Sequence, residues 1–229
     1  MLEAPQNVER PKVFGIGYNK TGTTSLDAIF RHYNYNVPVQ VEQELEITEA
    51  TFSGSYEPFK NFVSQYEAFQ DLPFSQGQTY IVADVLFPHS KFILTERNPE
   101  EWFDSLYNFH KTLYGLEDLT TLTEEDILYK FQYLTHDYAH KNVEMGLTSV
   151  ENGEVTIRWD LIYNKNFYIS EYVKRNNDIK KYFRGREDSL LVFDFKKEKD
   201  TRRICEFLNL PPDEVVDIPH LNQTALLSE

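Results

Sequence analysis

Short apolar runs alternate with segments of helical periodicity along this chain. The runs predict strands at 12–17, 68–70, 92–95 and 189–194, because continuous apolar stretches of this length are typical of strands buried on both faces. Apolar positions at helical spacing predict helices at 23–33, 56–66, 80–87, from 99 onward, and at 124–133, 159–183 and 201–208. Residues 37–41 predict a further short strand, and the secondary structure of the acidic segment 42–55 is ambiguous.

The order of these elements predicts the fold class. Strands that alternate with helices indicate an α/β fold, with a mainly parallel sheet flanked by helices in three layers. A chain of 229 residues is expected to form a single domain over 1–229. Within it, we interpret residues from about 116 to 183 as a helical cap or insert.

Composition narrows the class of protein. Hydrophobic residues make up 41% of the chain and aromatic residues 15%, which is typical of a globular protein. The formal net charge of −14 argues against a protein that binds nucleic acid or polyanions. Because Cys205 is the one cysteine, no internal disulfide is expected, and a reducing, intracellular setting follows as the default.

The distribution of polar residues bears on location and on metals. Residues 1–10 are charged and polar without an apolar core, so we expect no signal peptide. No run of about 18 apolar residues exists, so we expect no membrane span and predict a cytoplasmic protein. No cluster of histidine, cysteine and aspartate has the spacing of metal ligands, and no metal is expected in the mechanism.

The most informative segment is the strand-to-helix junction at 14–26. Gly17 and Gly22 have the G-x-x-x-x-G spacing of a nucleotide P-loop, which surrounds phosphate with backbone N–H groups at a helix N-terminus. Thr23 stands where an ATP- or GTP-binding loop has its lysine, and Lys20 lies inside the loop instead. The residues expected to contact an anionic group are Asn19, Lys20, Thr21, Gly22, Thr23, Thr24 and Ser25.

A second strand-to-helix junction lies at 91–106. Asn98 is a good helix N-cap and Pro99 suits the first helical position, so Arg97 leaves the C-terminal end of a strand, where open parallel sheets place their ligands. Ser105 follows about two helical turns later, and both side chains could reach one phosphate. The alternative is that Arg97 pairs with the glutamates at 100–101.

These two junctions resemble the sulfotransferases that use 3′-phosphoadenosine-5′-phosphosulfate (PAPS), of the bacterial and cytosolic type. In that family the lysine of a P-loop-like fold is placed as Lys20 is, threonine replaces the usual lysine as at Thr23, and an arginine and serine like Arg97 and Ser105 hold the nucleotide 3′-phosphate. The resemblance extends to 182–211 and to the loop Pro219-His220-Leu221-Asn222, to which we assign no role. It implies a helical cap that shapes acceptor choice.

The general base is expected at the end of the strand at 68–70. Cytosolic members of the family carry a base histidine there, and this chain has Asp71; related enzymes use glutamate, so a carboxylate is chemically acceptable. Burial would have to raise its pKa for efficient proton transfer. The alternatives are that Asp71 is a turn residue before Pro73, and that the base is one of three histidines: His110, His136 and His140.

The resulting hypothesis is a sulfotransferase that moves a sulfuryl group from PAPS to a hydroxyl or amine of a small-molecule acceptor. Lys20 would stabilise the leaving phosphate, Asp71 would take the proton, and the product would be 3′-phosphoadenosine 5′-phosphate (PAP). Two alternatives stay open. One is a P-loop kinase or NTPase with a degenerate loop, for which Asp194 is the only Walker-B candidate. The other is a non-catalytic protein that binds PAP or another nucleotide. The sequence specifies neither the acceptor nor the oligomeric state.

Overall fold

The computed structural model of the chain describes residues 10–131, 133–135 and 137–219. The described residues divide into two compact units: the first comprises 10–96 and 178–219, and the second lies within 97–177. The strands in the described residues are β1 (Val13–Gly15), β2 (Ala68–Phe69), β3 (Lys91–Thr95), β4 (Thr148–Glu151), β5 (Glu154–Ile157) and β6 (Leu190–Phe193). The α-helices are α1 (Thr23–His32), α2 (Gln40–Ser53), α3 (Tyr56–Ser64), α4 (Thr79–Leu86), α5 (Pro99–Tyr114), α6 (Glu124–Lys130), α7 (Tyr138–Leu147), α8 (Lys165–Tyr182) and α9 (Arg202–Leu208).

The first unit is built on a parallel sheet with the strand order β2–β1–β3–β6. In its register Phe14 of the central strand β1 lies opposite Phe69 of β2 and Phe92 of β3. Because all four strands run the same way, their C-terminal ends lie along one edge of the sheet. β1 sits between β2 and β3, so the chain reverses its direction of winding there, which is where open α/β sheets bind ligands.

Helices cover both faces of this sheet. Side chains alternate along each strand, so Val13 and Ile93 face one side while Phe14 and Phe92 face the other. The first side packs against α1 and α9, and the second packs against α2, α3, α4 and the end of α8. The predicted three-layer α/β fold with a parallel sheet is confirmed.

The second unit combines helices with a hairpin. α5 begins as the sequence predicts, since the Asn98 side chain accepts hydrogen bonds from the backbone N–H groups of Glu100 and Glu101. A separate apolar core joins α5, α6, α7 and the start of α8. β4 and β5 pair as an antiparallel hairpin, so this unit is not purely helical. The proposal of a cap over 116–183 and the single-domain boundary stay predictions.

Several predicted elements are corrected by the structure. The strand expected at 37–41 is wrong: the segment is irregular up to Val39 and α2 begins at Gln40, because Pro38 has no N–H to give to a strand ladder. The ambiguous segment 42–55 is mostly α2. The long helix expected at 159–183 is interrupted, since a 3₁₀ turn at Trp159–Leu161 precedes Tyr163, whose φ of 47° cannot continue a helix. α7 and the hairpin were not predicted.

Candidate active site

The β1–α1 loop leads into the first turn of α1 at the C-terminal edge of the sheet. α1 begins directly after Gly22, the N-cap residue, which has no side chain to bond the first turn, and no acidic residue lies in that turn. The N–H groups of a first helical turn have no acceptor within the helix, and they carry the positive end of the helix dipole. This geometry suits a phosphate or sulfate group.

Both predicted loop glycines are required by close packing. A Cβ atom at Gly17 would lie 2.0 Å from Oγ1 of Thr95 and 2.4 Å from the Thr95 carbonyl oxygen, closer than any side chain allows. Gly22 has φ 108°, and a Cβ there would lie 2.5 Å from the ring of Phe195. The loop is therefore held against the end of β3 and the segment after β6, and any larger residue at Gly17 would push it off the sheet.

The loop hydroxyls are hydrogen-bonded to protein atoms. Thr21 bonds the Tyr18 carbonyl oxygen, and its Oγ1 lies 2.6 Å from Oγ1 of Thr95. Ser25 Oγ donates to the Pro219 carbonyl oxygen at 3.0 Å. These hydrogen bonds fix the shape of the loop. To contact a phosphate as predicted, each hydroxyl would have to give up its hydrogen bond to a protein atom. The contacts expected of Asn19, Lys20, Thr21, Thr23, Thr24 and Ser25 stay predictions.

Asp71 lies beside this loop, two residues beyond the end of β2. Its carboxylate accepts a hydrogen bond from Thr23 Oγ1 at 2.9 Å and one from Ser75 Oγ at 3.3 Å. Burial raises the pKa of Asp71 above its usual 3.8, against the lowering effect of these hydroxyls and of the positive charge of Lys20. The structure thus places the Asp71 carboxylate against Thr23 and within the electrostatic influence of Lys20, and the roles of Lys20 and Asp71 in a reaction stay predictions.

The conformation of Asp71 is unusual and is fixed from two sides. Its φ is 58°, in the left-handed region that few residues other than glycine adopt. The Asp71 carbonyl oxygen accepts from the Ser75 N–H at 2.9 Å, so Asp71 is indeed also a turn residue before Pro73. The turn does not conflict with a role as base, because it leaves the carboxylate directed at Thr23.

Gln43 is a buried residue that the sequence did not single out. Its Nε2 donates to the carbonyl oxygen of Gln70 at 2.7 Å and also to that of Leu72, the two residues that flank Asp71. Gln43 is 2% exposed, so water does not compete for these bonds. The side chain therefore fixes the backbone on both sides of Asp71, a contact made across the fold by α2.

Arg97 and Ser105 belong to the second unit. The Tyr172 hydroxyl accepts from the Arg97 N–H at 2.9 Å and donates to the Arg97 carbonyl oxygen at 3.1 Å, and Tyr172 stacks on Trp102 with ring centres 4.3 Å apart. The Arg97 side chain also forms the ion pair that was the alternative to phosphate binding, since its Nε lies 3.5 Å from Oε2 of Glu101. Arg97 therefore has a rigid backbone, and the binding of a 3′-phosphate by Arg97 and Ser105 stays a prediction.

Two of the other candidate bases, His110 and His140, have structural partners. His110 Nδ1 lies 2.8 Å from the Tyr163 hydroxyl, and His140 Nε2 lies 3.1 Å from a carboxylate oxygen of Glu124. His136 lies outside the described residues, as do residues 220–222 of the C-terminal loop. Asp194 follows β6 and pairs with Lys197 at 3.0 Å.

The described part of the chain contains neither a metal-binding cluster nor a membrane-spanning helix. No group of three or more histidine, cysteine, aspartate or glutamate residues there could hold a metal ion. No helix there is both long and apolar enough to cross a membrane.

The parallel sheet with helices on both faces defines an α/β protein, and comparison with known proteins gives its family. Residues 12–227 match the family profile described as "Sulfotransferase domain". The chain therefore belongs to the sulfotransferase family. No curated protein matches the sequence. Among solved structures, the chain is similar to a sulfotransferase from Alicyclobacillus acidocaldarius, with a TM-score of 0.48 and 17% identity over 96% of this chain and 89% of the other.

Proposed function

We propose that this member of the sulfotransferase family transfers a sulfuryl group from PAPS to a hydroxyl or amine of a small-molecule acceptor. The observation that carries the proposal is the hydrogen bond between Thr23 and Asp71 at the loop that holds Lys20. It joins a candidate base to the start of the helix where the anionic donor would bind. The charge of −14 argues against nucleic-acid and polyanionic acceptors, and the single cysteine supports the cytoplasm as the compartment.

In the proposed donor site the backbone N–H groups of the loop make the main contacts, and the side chains add further ones. The N–H groups at the start of α1 would bind the 5′-phosphosulfate, because they have no acceptor within the helix and Gly22 supplies no cap. Gly17 and Gly22 hold this backbone close to β3 and Phe195, where no side chain intervenes. Asn19, Lys20, Thr21, Thr23, Thr24 and Ser25 would line the group, and Arg97 with Ser105 would bind the 3′-phosphate.

Lys20 and Asp71 would divide the chemistry of transfer. The acceptor oxygen or nitrogen forms a bond to sulfur while the bond between sulfur and the bridging phosphate oxygen breaks. Lys20 stabilises the charge that develops on that leaving oxygen. Asp71 takes the acceptor proton, and its raised pKa brings it closer to the operating pH that favours a general base.

The hydrogen bonds of Asp71 are compatible with this role. A carboxylate has about four lone-pair positions, and the hydroxyls of Thr23 and Ser75 and the backbone N–H of Leu72 use three of them. The remaining position can take the proton of the acceptor. The same two hydroxyls also orient the carboxylate, so the proposed base does not need to reorganise before transfer.

Two measurements test the function. Calorimetry with PAP, ATP and GTP should show binding of PAP and none of the others, since Thr23 replaces the lysine that an ATP loop requires. Transfer of radiolabelled sulfate from PAPS should then be detected over a library of phenols, alcohols and amines. Binding of ATP in preference to PAP would favour the kinase alternative. Binding of PAP with no transfer to any acceptor would favour the non-catalytic alternative, which the replacement of the family histidine by Asp71 supports.

A further inference from the structure

Thr95, the last residue of β3, is buried against the β1–α1 loop and has no part in the proposed chemistry. Thr95 is 1% exposed and its hydrogen-bond partner Thr21 is 4% exposed. Water therefore does not compete for the bond between the two hydroxyls. Lys20 is the residue directly before Thr21, so whatever holds Thr21 also bears on the position of Lys20.

The hydrogen bonds of the loop determine which of the two hydroxyls is the donor. The Thr21 hydroxyl gives its one proton to the Tyr18 carbonyl oxygen, because a carbonyl oxygen can only accept. The Thr95 hydroxyl, 2.6 Å away, must therefore donate to Thr21. The result is a chain of two hydrogen bonds in a dry environment, in which each bond polarises and strengthens the other.

The Thr95 hydroxyl also occupies the space that Gly17 leaves open. A Cβ atom at Gly17 would lie 2.0 Å from Thr95 Oγ1, so this one oxygen contacts the loop before Lys20 as well as after it. A separation of 2.6 Å is normal for two hydrogen-bonded oxygens, whereas apolar contacts have their optimum at about 3.5–4.0 Å. An apolar side chain at position 95 would therefore push the loop away from β3.

Lys20 lies in the part of the loop that these contacts hold. Its φ is 66°, in the left-handed region, and a residue other than glycine stays there only where the surrounding structure enforces it. The bond between Thr21 and Tyr18 closes a turn over the two residues between them, one of which is Lys20. Thr95 then joins that turn to the sheet.

We propose that Thr95 is a positioning residue for Lys20, which acts by donating its buried hydroxyl proton to Thr21. The inference rests on the proposed function, in which Lys20 stabilises the charge on the bridging oxygen. A cation stabilises a developing oxyanion best when it is already in place, because no reorganisation is then needed during the reaction. Loss of the Thr95 hydroxyl should therefore affect the transition state more than the binding of the donor.

Crystal structures of Thr95→Val and Thr95→Ser test the geometry without any assay of transfer. Valine replaces the hydroxyl by a methyl group of similar size, and serine keeps the hydroxyl. Lys20 should keep its left-handed φ in Thr95→Ser. In Thr95→Val it should leave that region, with the loop displaced from β3. A Lys20 backbone that is unchanged in Thr95→Val would overturn the proposal.

Single-turnover transfer and calorimetric PAP binding test the consequence for the chemistry. Turnover of Thr95→Val should fall roughly 10²-fold, the scale for displacement of a group by about 1 Å, while PAP affinity stays near that of the wild type. Thr95→Ser should restore most of the turnover. Equal losses of turnover and PAP affinity in Thr95→Val, or no recovery in Thr95→Ser, would overturn the proposal, because Thr95 would then support the loop as a whole.

The matched control is Thr48→Val on α2. Thr48 is 2% exposed, and its hydroxyl has no hydrogen-bond partner among the described residues. The same exchange of a buried hydroxyl for a methyl group should therefore leave turnover unchanged there. A similar loss of turnover in Thr48→Val would show that the effect at Thr95 is not specific, and it would overturn the proposal.

Combination with Lys20→Ala tests whether Thr95 acts through Lys20. In the Lys20→Ala background, Thr95→Val should lower the remaining turnover by less than about twofold, because the group that it positions is gone. An undiminished effect of Thr95→Val in that background would overturn the proposal. Absence of transfer from PAPS by the wild type would instead refute the proposed function, and the crystal structures would then decide the placement of Lys20 alone.

Discussion

The Thr23 hydroxyl donates to the Asp71 carboxylate at 2.9 Å across a sequence separation of 48 residues. This bond ties the first turn of α1 to the end of β2. Thr23 occupies the position where nucleotide P-loops have lysine, and in this structure its side chain serves the neighbouring carboxylate. The replacement thus has a structural consequence: the hydroxyl orients Asp71 beside the loop that holds Lys20.

Replacement of Asp71 tests the proposed base. Asp71→Asn keeps the size of the side chain and removes its ability to accept a proton. Turnover should fall by roughly 10²–10⁴, the usual contribution of general-base catalysis, while PAP affinity stays near that of the wild type. Single-turnover transfer and calorimetric PAP binding measure the two effects, with Asp188→Asn, an exposed carboxylate, as the matched control.

The other outcomes for Asp71→Asn have distinct meanings. Full activity would transfer the role of base to a histidine such as His110 and reduce Asp71 to its turn before Pro73. Loss of PAP binding in a folded variant would place Asp71 in the nucleotide site instead.

The raised pKa of Asp71 predicts a pH dependence of stability. Between 3.8 and the raised value the native protein binds more protons at this site than the unfolded chain does. The free energy of unfolding therefore falls as the pH rises through that window, by the contribution of Asp71. Asp71→Asn lacks this titration, so its stability relative to the wild type should increase from pH 3 to pH 7. Urea unfolding across the range measures it, and a constant difference would contradict the prediction.

The sequence correctly predicts those helices and strands in which the buried positions are occupied by apolar residues. The junctions at β1–α1 and β3–α5 carry both the pattern and the turn residues, so their positions agree with the structure. α2 was ambiguous because its buried side includes polar side chains, namely Gln43, Glu44 and Thr48, which hide the helical periodicity. The hairpin was missed although Asn152-Gly153, with φ values of 53° and 85°, is a strong turn signal.

The same distinction between local pattern and tertiary packing applies to the residues of the candidate site. Lys20, Thr23 and Asp71 could be proposed from local motifs, and the structure brings them together. Gln43 and Tyr172 could not, because each acts on a backbone far away in sequence. Such contacts depend on tertiary packing, which no local pattern encodes.

Replacement of Gln43 tests whether the proposed activity of Asp71 depends on the backbone conformation that Gln43 fixes on both sides of it. Gln43→Met keeps the length of the side chain and removes both donors to Gln70 and Leu72. Leaving two buried carbonyl groups without a partner should cost about 1–3 kcal/mol of stability. We also expect a loss of turnover of roughly tenfold, because misplacement of a catalytic group is costly, with PAP affinity unchanged.

The control for Gln43→Met is Gln65→Met, at the end of α3. It removes an exposed amide that bonds the Asn61 carbonyl oxygen at the surface, and it should leave turnover unchanged. The assay is run at a temperature where both variants are fully folded. If Gln43→Met loses stability but keeps full turnover, the role of Gln43 is structural only.

Lys20 is predicted to act on the leaving phosphate. Lys20→Ala should lower turnover far more than it weakens PAP binding, because the charge on the bridging oxygen develops mainly in the transition state. Single-turnover rates and PAP calorimetry separate the two effects, with the exposed Lys60→Ala as the control. Equal losses in both measurements would show that Lys20 contributes only to ground-state binding.

Arg97 is predicted to bind the 3′-phosphate. Arg97→Ala should weaken PAP by about 2–4 kcal/mol, the scale for loss of a charge-assisted contact. It should barely affect adenosine 5′-phosphosulfate, which lacks that phosphate. Calorimetry with both nucleotides provides the comparison, and similar losses for the two would refute the assignment.

The ion pair between Arg97 and Glu101 gives this prediction a second arm. At 3.5 Å, with both side chains partly exposed, the pair is weak, so a phosphate can replace Glu101 as the partner of the guanidinium. Glu101→Gln removes a competing negative charge from the proposed site, and PAP should bind equally well or more tightly. Adenosine 5′-phosphosulfate should be unaffected. Weaker PAP binding in Glu101→Gln would show that Glu101 orients Arg97 instead of competing with the ligand.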